Sequence, residues 1–170
     1  MIARQWEPRY CEGCGGRLEE RRVLDQPRLI CPRCGLVRYR NLKVAAGTIT
    51  RVGADIVLVR RSIEPGFNRW VLPGGFAEQG ETVPEAARRE TLEETGLDVR
   101  IAGLVGVYSY PQSAVVVVVY RGEADGGGLL AESPECFEVR AFSPADIPWT
   151  EVAFPSTKDA LVDFLKPDLR

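Results

Sequence analysis

The chain has 170 residues and a formal charge of −2 at pH 7, with 45% hydrophobic and 27% charged residues. That is an ordinary globular balance, which supplies one sizeable core and excludes global disorder. The near-neutral charge argues against a general polyanion binder, whose affinity rests on excess Lys and Arg neutralising phosphates. Histidine is absent, so metal ligation and acid–base chemistry fall to Cys, Asp, Glu, Lys, Tyr or backbone groups.

The first residues, Met1-Ile2-Ala3-Arg4-Gln5-Trp6-Glu7, bring charge at once, unlike a signal peptide. The longest apolar stretch, Ala114 to Tyr120, is far short of the roughly 20 residues a membrane helix needs. A soluble, cytoplasmic protein is expected.

Four of the five cysteines come next, as Cys11-Glu12-Gly13-Cys14 and Cys31-Pro32-Arg33-Cys34, with 16 residues between the pairs and a glycine (Gly15, Gly35) after each. A two-residue spacer lets both thiolates of a knuckle reach one ion, and the glycine permits the tight turn beneath it. The spacing fits a four-cysteine structural zinc ribbon. Disulfides or free thiols are the alternative, and a cytoplasmic setting disfavours disulfides. The intervening Arg17 to Ile30 is short and heavily charged and cannot build a core of its own. Arg17, Arg21, Arg22 and Arg28 offer a modest basic surface, interrupted by Glu19, Glu20 and Asp25. The module is expected to support packing or dimerisation, with nucleic-acid binding as the other reading. Cys136 stands alone and reads as a packed thiol rather than a nucleophile.

From Lys43 onward strands and helices alternate. Val44 to Thr50 and Asp55 to Arg60 read as strands around a turn at Val52-Gly53-Ala54, and Trp70-Val71-Leu72 as a short strand stopped by Pro73-Gly74-Gly75. A loop from Phe76 to Glu81 leads into a helix from Val83 to Thr95. Thr82 and Glu85 have capping-box spacing, Pro84 is tolerated in a first turn, and Gly96 suits the stop. The β-branched run Val115 to Val119 predicts a strand buried on both faces. Asp125-Gly126-Gly127-Gly128 reads as a flexible loop and Glu138 to Phe142 as a strand. Ser156 is predicted to cap a last helix, with Asp159 three residues on and Ala160, Leu161, Phe164 and Leu165 as its apolar stripe.

The Val83–Thr95 helix carries the chemistry. Glu90, Glu93 and Glu94 are spaced to share one helix face, and no Lys or Arg follows any of them at i+4. The apolar complement is thin: Val83, Ala86, Ala87 and Leu92. Without a cation the carboxylates repel, whereas an ordinary solvated face intersperses compensating charge. Oxygen-only clustering suits Mg²⁺ or Mn²⁺, which share coordination with phosphate oxygens and water. Gly74-Gly75 lets backbone approach closely enough for a carbonyl to join.

From Gly75 to Leu97 these 23 residues resemble the Nudix box, the signature of hydrolases of nucleoside diphosphates linked to another moiety. Thr91 departs from the apolar residue usual there, which bears on packing more than on chemistry. The resemblance implies an α/β/α sandwich with a mixed sheet, occupying residues 41–170 after a zinc ribbon at residues 1–40. It implies Glu90, Glu93, Glu94 and the Gly75 carbonyl as Mg²⁺ or Mn²⁺ ligands, Arg89 with Glu81 as a brace of loop and helix, Glu78 assisting through water, and a homodimer as a family-level expectation. The ribbon, the Trp70 to Gly75 lead-in and the Ile147-Pro148-Trp149 to Ala153-Phe154 segment are similar to a bacterial zinc-ribbon Nudix group related to a plant chloroplast FAD pyrophosphatase.

The expected reaction is metal-dependent pyrophosphohydrolysis, positioning and electrostatics carrying most of it. A glutamate serves as base: Glu93 or Glu94 in the box, or Glu132, Glu135 or Glu138 in a later loop, with Glu135 favoured and an ordinary acidic loop as the alternative. Pro111, fourteen residues past Leu97, resembles the downstream proline of ADP-ribose pyrophosphatases or simply marks a turn. Tyr110-Pro111-Gln112-Ser113 does not reproduce the longer Ser-Gln-Pro-Trp-Pro-Phe-Pro pattern of NADH pyrophosphatases. Trp70 and Tyr108 are candidates to stack on an adenine or flavin ring, against a packing role. ADP-ribose or FAD is thus the favoured substrate, NADH the alternative, and a non-catalytic nucleotide sensor the competing class.

Overall fold

The computed structural model describes residues 8–130, 133 and 135–166. Met1 to Glu7, which carry the reading of the N-terminus, and Glu132 lie outside the described residues. Two compact units divide the chain, Met1–Leu42 and Lys43–Arg170.

In the first unit, β1 (Glu19–Val23), β2 (Gln26–Ile30) and β3 (Val37–Arg38) form an antiparallel sheet in that order. Leu24 and Asp25, both at positive φ, make the two-residue turn between β1 and β2, the geometry that matches the twist of a hairpin. The charged segment is therefore a hairpin held by backbone pairing. The buried apolar residues described in this unit form one small cluster, Cys11, Leu18 and Cys31, flanked by Cys14, Leu29 and Leu36.

The second unit is built on a mixed sheet. Its elements are β4 (Lys43–Val52), β5 (Asp55–Arg61), β6 (Trp70–Val71), β7 (Gly74–Phe76), α1 (Val83–Thr95), β8 (Leu97–Ser109), β9 (Val115–Gly127), β10 (Cys136–Phe142) and α2 (Pro155–Leu165). The strand order is β10-β5-β4-β9-β8, with β6 on β5 and β7 on β4. Among the described strands β4 and β9 pair in parallel and the other pairs are antiparallel.

Successive residues of a strand face opposite sides, and β4 shows what each side carries. Ala46 packs with Ala86 and Ala87 of α1, and Thr48 bonds Thr91 of α1. Ile49 packs with Ile56, Leu58 and Val119 beneath Ala160 and Leu161 of α2. The two helices thus cover opposite faces, an α/β/α sandwich.

The capping box at Thr82 and Glu85 forms and Gly96 closes α1 in the left-handed region. Several expectations give way. Leu92 is exposed, so the buried apolar side of α1 is mainly Ala86 and Ala87. Thr91 is fully buried, its hydroxyl bonded to Thr48 Oγ1 (2.8 Å) and the Ala87 carbonyl (2.7 Å). Ser156 does not cap α2: Phe154 is the N-cap, with no side-chain hydrogen bond, and Asp159 accepts from Tyr110 Oη instead. The stretch through Gly127 is not a free loop, because β9 continues and pairs with Leu97 and Asp98. Val115 to Val118 are half-buried rather than sealed on both faces, since a cavity opens beside them. Glu138 lies in β10, paired to Arg60 and Arg140, not in a loop.

At Gly47 an added Cβ would meet the Pro73 carbonyl oxygen at 2.5 Å. Gly47→Ala should therefore force β4 and β7 apart and cost about 3 kcal/mol, read as a lowered urea midpoint. An unchanged midpoint would show that this approach is not needed.

Candidate active site

Arg89, on α1, gathers the acidic groups around it. Its Nε and Nη2 donate to the two carboxylate oxygens of Glu81 at 3.0 and 2.8 Å, and Nη2 also donates to the Phe76 carbonyl at 3.1 Å. Its Nη1 donates to Glu90 Oε1 at 2.7 Å and Glu93 Oε2 at 3.2 Å. One guanidinium thus ties the 76–81 loop to the helix. The paired Arg89 side chain holds the Glu81 carboxyl down at about 2; the same hydrogen bonds keep Arg89 protonated.

Glu90 lies flat against glycine backbone: a Cβ at Gly75 would sit 2.4 Å from its carboxyl carbon. Burial pushes the Glu90 carboxyl up against the pull of Arg89, and Glu93 and Glu135 raise it further. Glu135 therefore faces the same ground although it is exposed. Glu94 turns inward, only 6% exposed. Gly74 N donates to its Oε2 at 2.8 Å, and the Cys136 thiol lies 3.6 Å from its Oε1. Burial lifts its carboxyl to about 7 despite the Gly74 N–H.

The three helix carboxylates do not converge on one point. Among the described residues, the four cysteines are the group of ligand atoms lying mutually within 4.8 Å. Arg89 holds Glu90 and Glu93 together, while the Gly74 amide draws Glu94 aside. Yet one cationic nitrogen already touches both Glu90 and Glu93, and the Gly75 backbone abuts Glu90. Carboxylate oxygens and glycine backbone meet at this position, and oxygen donors of this kind would suit Mg²⁺ or Mn²⁺. Glu78 is exposed, its backbone N–H bonded to Glu81 Oε1.

Beyond the glycines lies a cavity of about 580 Å³, walled by Leu72, Val117 and Val119 and bordered by Gly74, Gly75 and the first residues of α2. Trp70 is not on its wall: it is 3% exposed, in the core, edge-on to Phe142. Tyr108 is also buried, its hydroxyl donating to Asp163 at 3.1 Å. Pro111 is exposed in the turn between β8 and β9. Its neighbours Tyr110, Gln112 and Ser113 line the cavity, as do Arg61, Ser156 and Thr157. Sequence reasoning missed these. Their only signal was the Tyr110–Ser113 segment, read as a failed motif.

The cysteine centre stands in the first unit. Cys11 and Cys34 Sγ are 3.6 Å apart and Cys14 and Cys31 Sγ 3.4 Å, close to the roughly 3.8 Å edge of a tetrahedron with Zn–S of about 2.3 Å. The knuckles repeat each other: Gly15 N donates to Cys11 O and Gly35 N to Cys31 O, both glycines at positive φ. No disulfide links these thiols. Burial raises Cys31, but donors from the Cys34 and Arg33 backbone and from Cys14 bring it down to about 7. The Leu36 N–H lowers Cys34, but sharing protons with Cys14, Cys11 and Cys31 leaves it at about 12. The four ligand atoms fit a structural zinc.

Comparison with known proteins matches residues 41–161 to the NUDIX domain and residues 9–40 to the family described as Nudix N-terminal, a zinc ribbon. The chain is 40% identical over 97 residues to an ADP-ribose pyrophosphatase of Methanocaldococcus jannaschii, covering 55% of this chain and 57% of that protein. It is 28% identical over 147 residues to the NAD-capped RNA hydrolase NudC of Pseudomonas aeruginosa, covering 82% of this chain and 49% of that one. The chain thus spans about half to three fifths of these two relatives. A solved NUDIX hydrolase from Nitrosomonas europaea superposes with a TM-score of 0.84 at 37% identity, over 91% of this chain and 88% of that one.

Two outcomes follow from the geometry. A carboxyl lowered from 4.5 to about 2 stabilises the fold above its unfolded value, and that contribution is lost as pH falls from about 4.5 toward 2. Arg89→Ala removes the cause, so acid unfolding followed by circular dichroism should move to higher pH; an unshifted acid limb would count against the brace. For the cysteines, thiol displacement should release one Zn²⁺ per chain, and Cys31→Ser should lose it. Metal-free protein with an intact hairpin would refute a structural zinc.

Proposed function

The chain belongs to the Nudix family and is a Nudix hydrolase, and we propose that it hydrolyses the pyrophosphate bond of a nucleoside diphosphate joined to a second moiety, ADP-ribose or FAD, releasing AMP. The observation that carries this reading is the contact of the Glu90 carboxylate with Gly75 backbone, beside Glu93 on the same guanidinium nitrogen and next to the cavity.

In this reading Glu90, Glu93, Glu94 and the Gly75 carbonyl hold Mg²⁺ or Mn²⁺. A cation held there would supply charge neutralisation for the diphosphate and activation of the attacking water. Arg89 fixes the carboxylates by clamping Glu81, Glu90 and Glu93. Glu135, exposed and close enough to Glu90 to act on its charge, is the favoured base or extra ligand, because it lies beside the box carboxylates without being tied up by Arg89. The cavity takes the nucleoside, its apolar walls excluding water from the organic part of the substrate. Residues 1–40 serve as the zinc-stapled module and 41–170 as the catalytic domain, in a cytoplasmic setting that keeps the thiols reduced.

A dinucleotide such as NADH is the second reading, favoured by NudC alignments that cover 75% to 84% of the chain. Incubation with Mg²⁺ and ADP-ribose, FAD, NADH or diadenosine polyphosphates, following AMP, separates the two. Glu93→Gln should lower turnover on the best substrate by at least about 100-fold with an unchanged circular dichroism spectrum. Full turnover in metal-replete buffer would sink the assignment of Glu93.

A further inference from the structure

Most buried hydroxyls of the second unit are bonded: Thr48 to Thr50 and Thr91, Thr91 to the Ala87 carbonyl, Thr95 to the Thr91 carbonyl. Two are not. Ser156 and Thr157 are 8% and 5% exposed, yet neither hydroxyl bonds any described residue. Among the described residues no side-chain oxygen or nitrogen is sealed away without a partner, so neither hydroxyl is fully enclosed, and both residues line the cavity.

They sit on the first turn of α2, an eleven-residue helix. Its N-cap, Phe154, has no side-chain acceptor, and Pro155 at the first position has no N–H. The first intrahelical bond comes from Lys158 N to the Phe154 carbonyl. The amides of Ser156 and Thr157 are thus uncapped donors at the positive end of the helix, beside the two free hydroxyls. Arg61, stacked over the Phe154 ring at 5.6 Å, borders the same cavity. Donors and positive potential gather at one end of a space otherwise walled by Leu72, Val117 and Val119.

We infer that the first turn of α2 is the polar anchor of this cavity and binds the hydrogen-bond-accepting edge of the substrate's planar heterocycle, Ser156 and Thr157 setting which ring is accepted. The apolar walls select a flat ring over a phosphate, because a bare anion would lose its hydration against them with only one end able to replace it. Adenine and isoalloxazine share the required chemistry, two apolar faces and an edge of nitrogen or oxygen acceptors. The inference rests on the reading of the chain as a hydrolase of nucleoside diphosphate derivatives, and it adds where the organic part is read.

The test is metal-free binding to the full chain in EDTA, by calorimetry, with adenosine, riboflavin, ribose 5-phosphate and inorganic phosphate. Adenosine or riboflavin should bind, about tenfold more weakly to the Ser156→Ala/Thr157→Val double variant, as loss of one or two hydrogen bonds implies. Thr157→Ser, which keeps the hydroxyl, should bind like wild type. Thermal unfolding checks that the variants fold, and the single substitutions stand in if the double variant does not. Three results would overturn the inference: neither heterocycle binding, heterocycle binding indifferent to both residues, or the loss falling on ribose 5-phosphate and phosphate instead. Absence of AMP release with Mg²⁺ would remove the pyrophosphatase reading alone, because this binding requires no turnover.

Discussion

The second unit depends on a place where three residues must lack a β-carbon. An added Cβ would strike the Pro73 carbonyl at Gly47, the Ala46 carbonyl at Gly74, and the Glu90 carboxylate at Gly75, all at about 2.5 Å. β7 lies on β4 at this point, with Ala46 opposite Gly75 and Gly47 opposite Gly74. The partition between the helix carboxylates and the cavity is therefore bare backbone. An alanine at any of the three would thicken it by a methyl group and separate the acidic helix from the space where an organic group fits.

Charge on α1 is organised by contrast. Arg89 is shared by the outer carboxylates, Glu81, Glu90 and Glu93, in a partly exposed network where hydrogen-bond geometry matters more than raw Coulomb attraction. Glu94 has no such partner. It is buried with one amide and one thiol for company, and burial lifts its carboxyl to about 7. Three carboxylates on one guanidinium leave the outer face of α1 acidic, the condition under which a hard cation would be stabilised there.

What could be read from the amino-acid order tracks how local the signal is. α1 was legible to the residue because Thr82, Glu85, Pro84 and Gly96 are terminal signals that act within one turn. The knuckles were legible because ligand spacing is itself local. β8 was not foreseen: Gly103 and Gly106 interrupt its alternation, and its pairing with β9 shifts register three times, so no clean period of two exists to be seen. α2 was located by its apolar stripe but given the wrong cap, since the helix begins earlier, at Pro155 with Phe154 as its cap, and Asp159 bonds Tyr110 instead. Trp70 was considered for a ring-stacking role from its place before Pro73-Gly74-Gly75. Its ring instead fills the core, because alternation along β6 turns it to the α2 face beside Phe142.

The same distinction separates reaction from substrate. The groups suited to metal and diphosphate occupy 23 consecutive residues, most of them on one helix whose pitch sets their spacing, so a likeness in sequence carries them intact. The cavity is assembled from β4, the 71–76 segment, the β8–β9 turn, β9 and the start of α2, residues up to about a hundred positions apart that meet only in the folded chain. A change at any one of them alters what fits without touching the box. Relatives can therefore share the box and bear different names, an ADP-ribose pyrophosphatase in one case and an NAD-capped RNA hydrolase in another, and under the function proposed for this chain its selectivity belongs to the cavity walls and not to the glutamates.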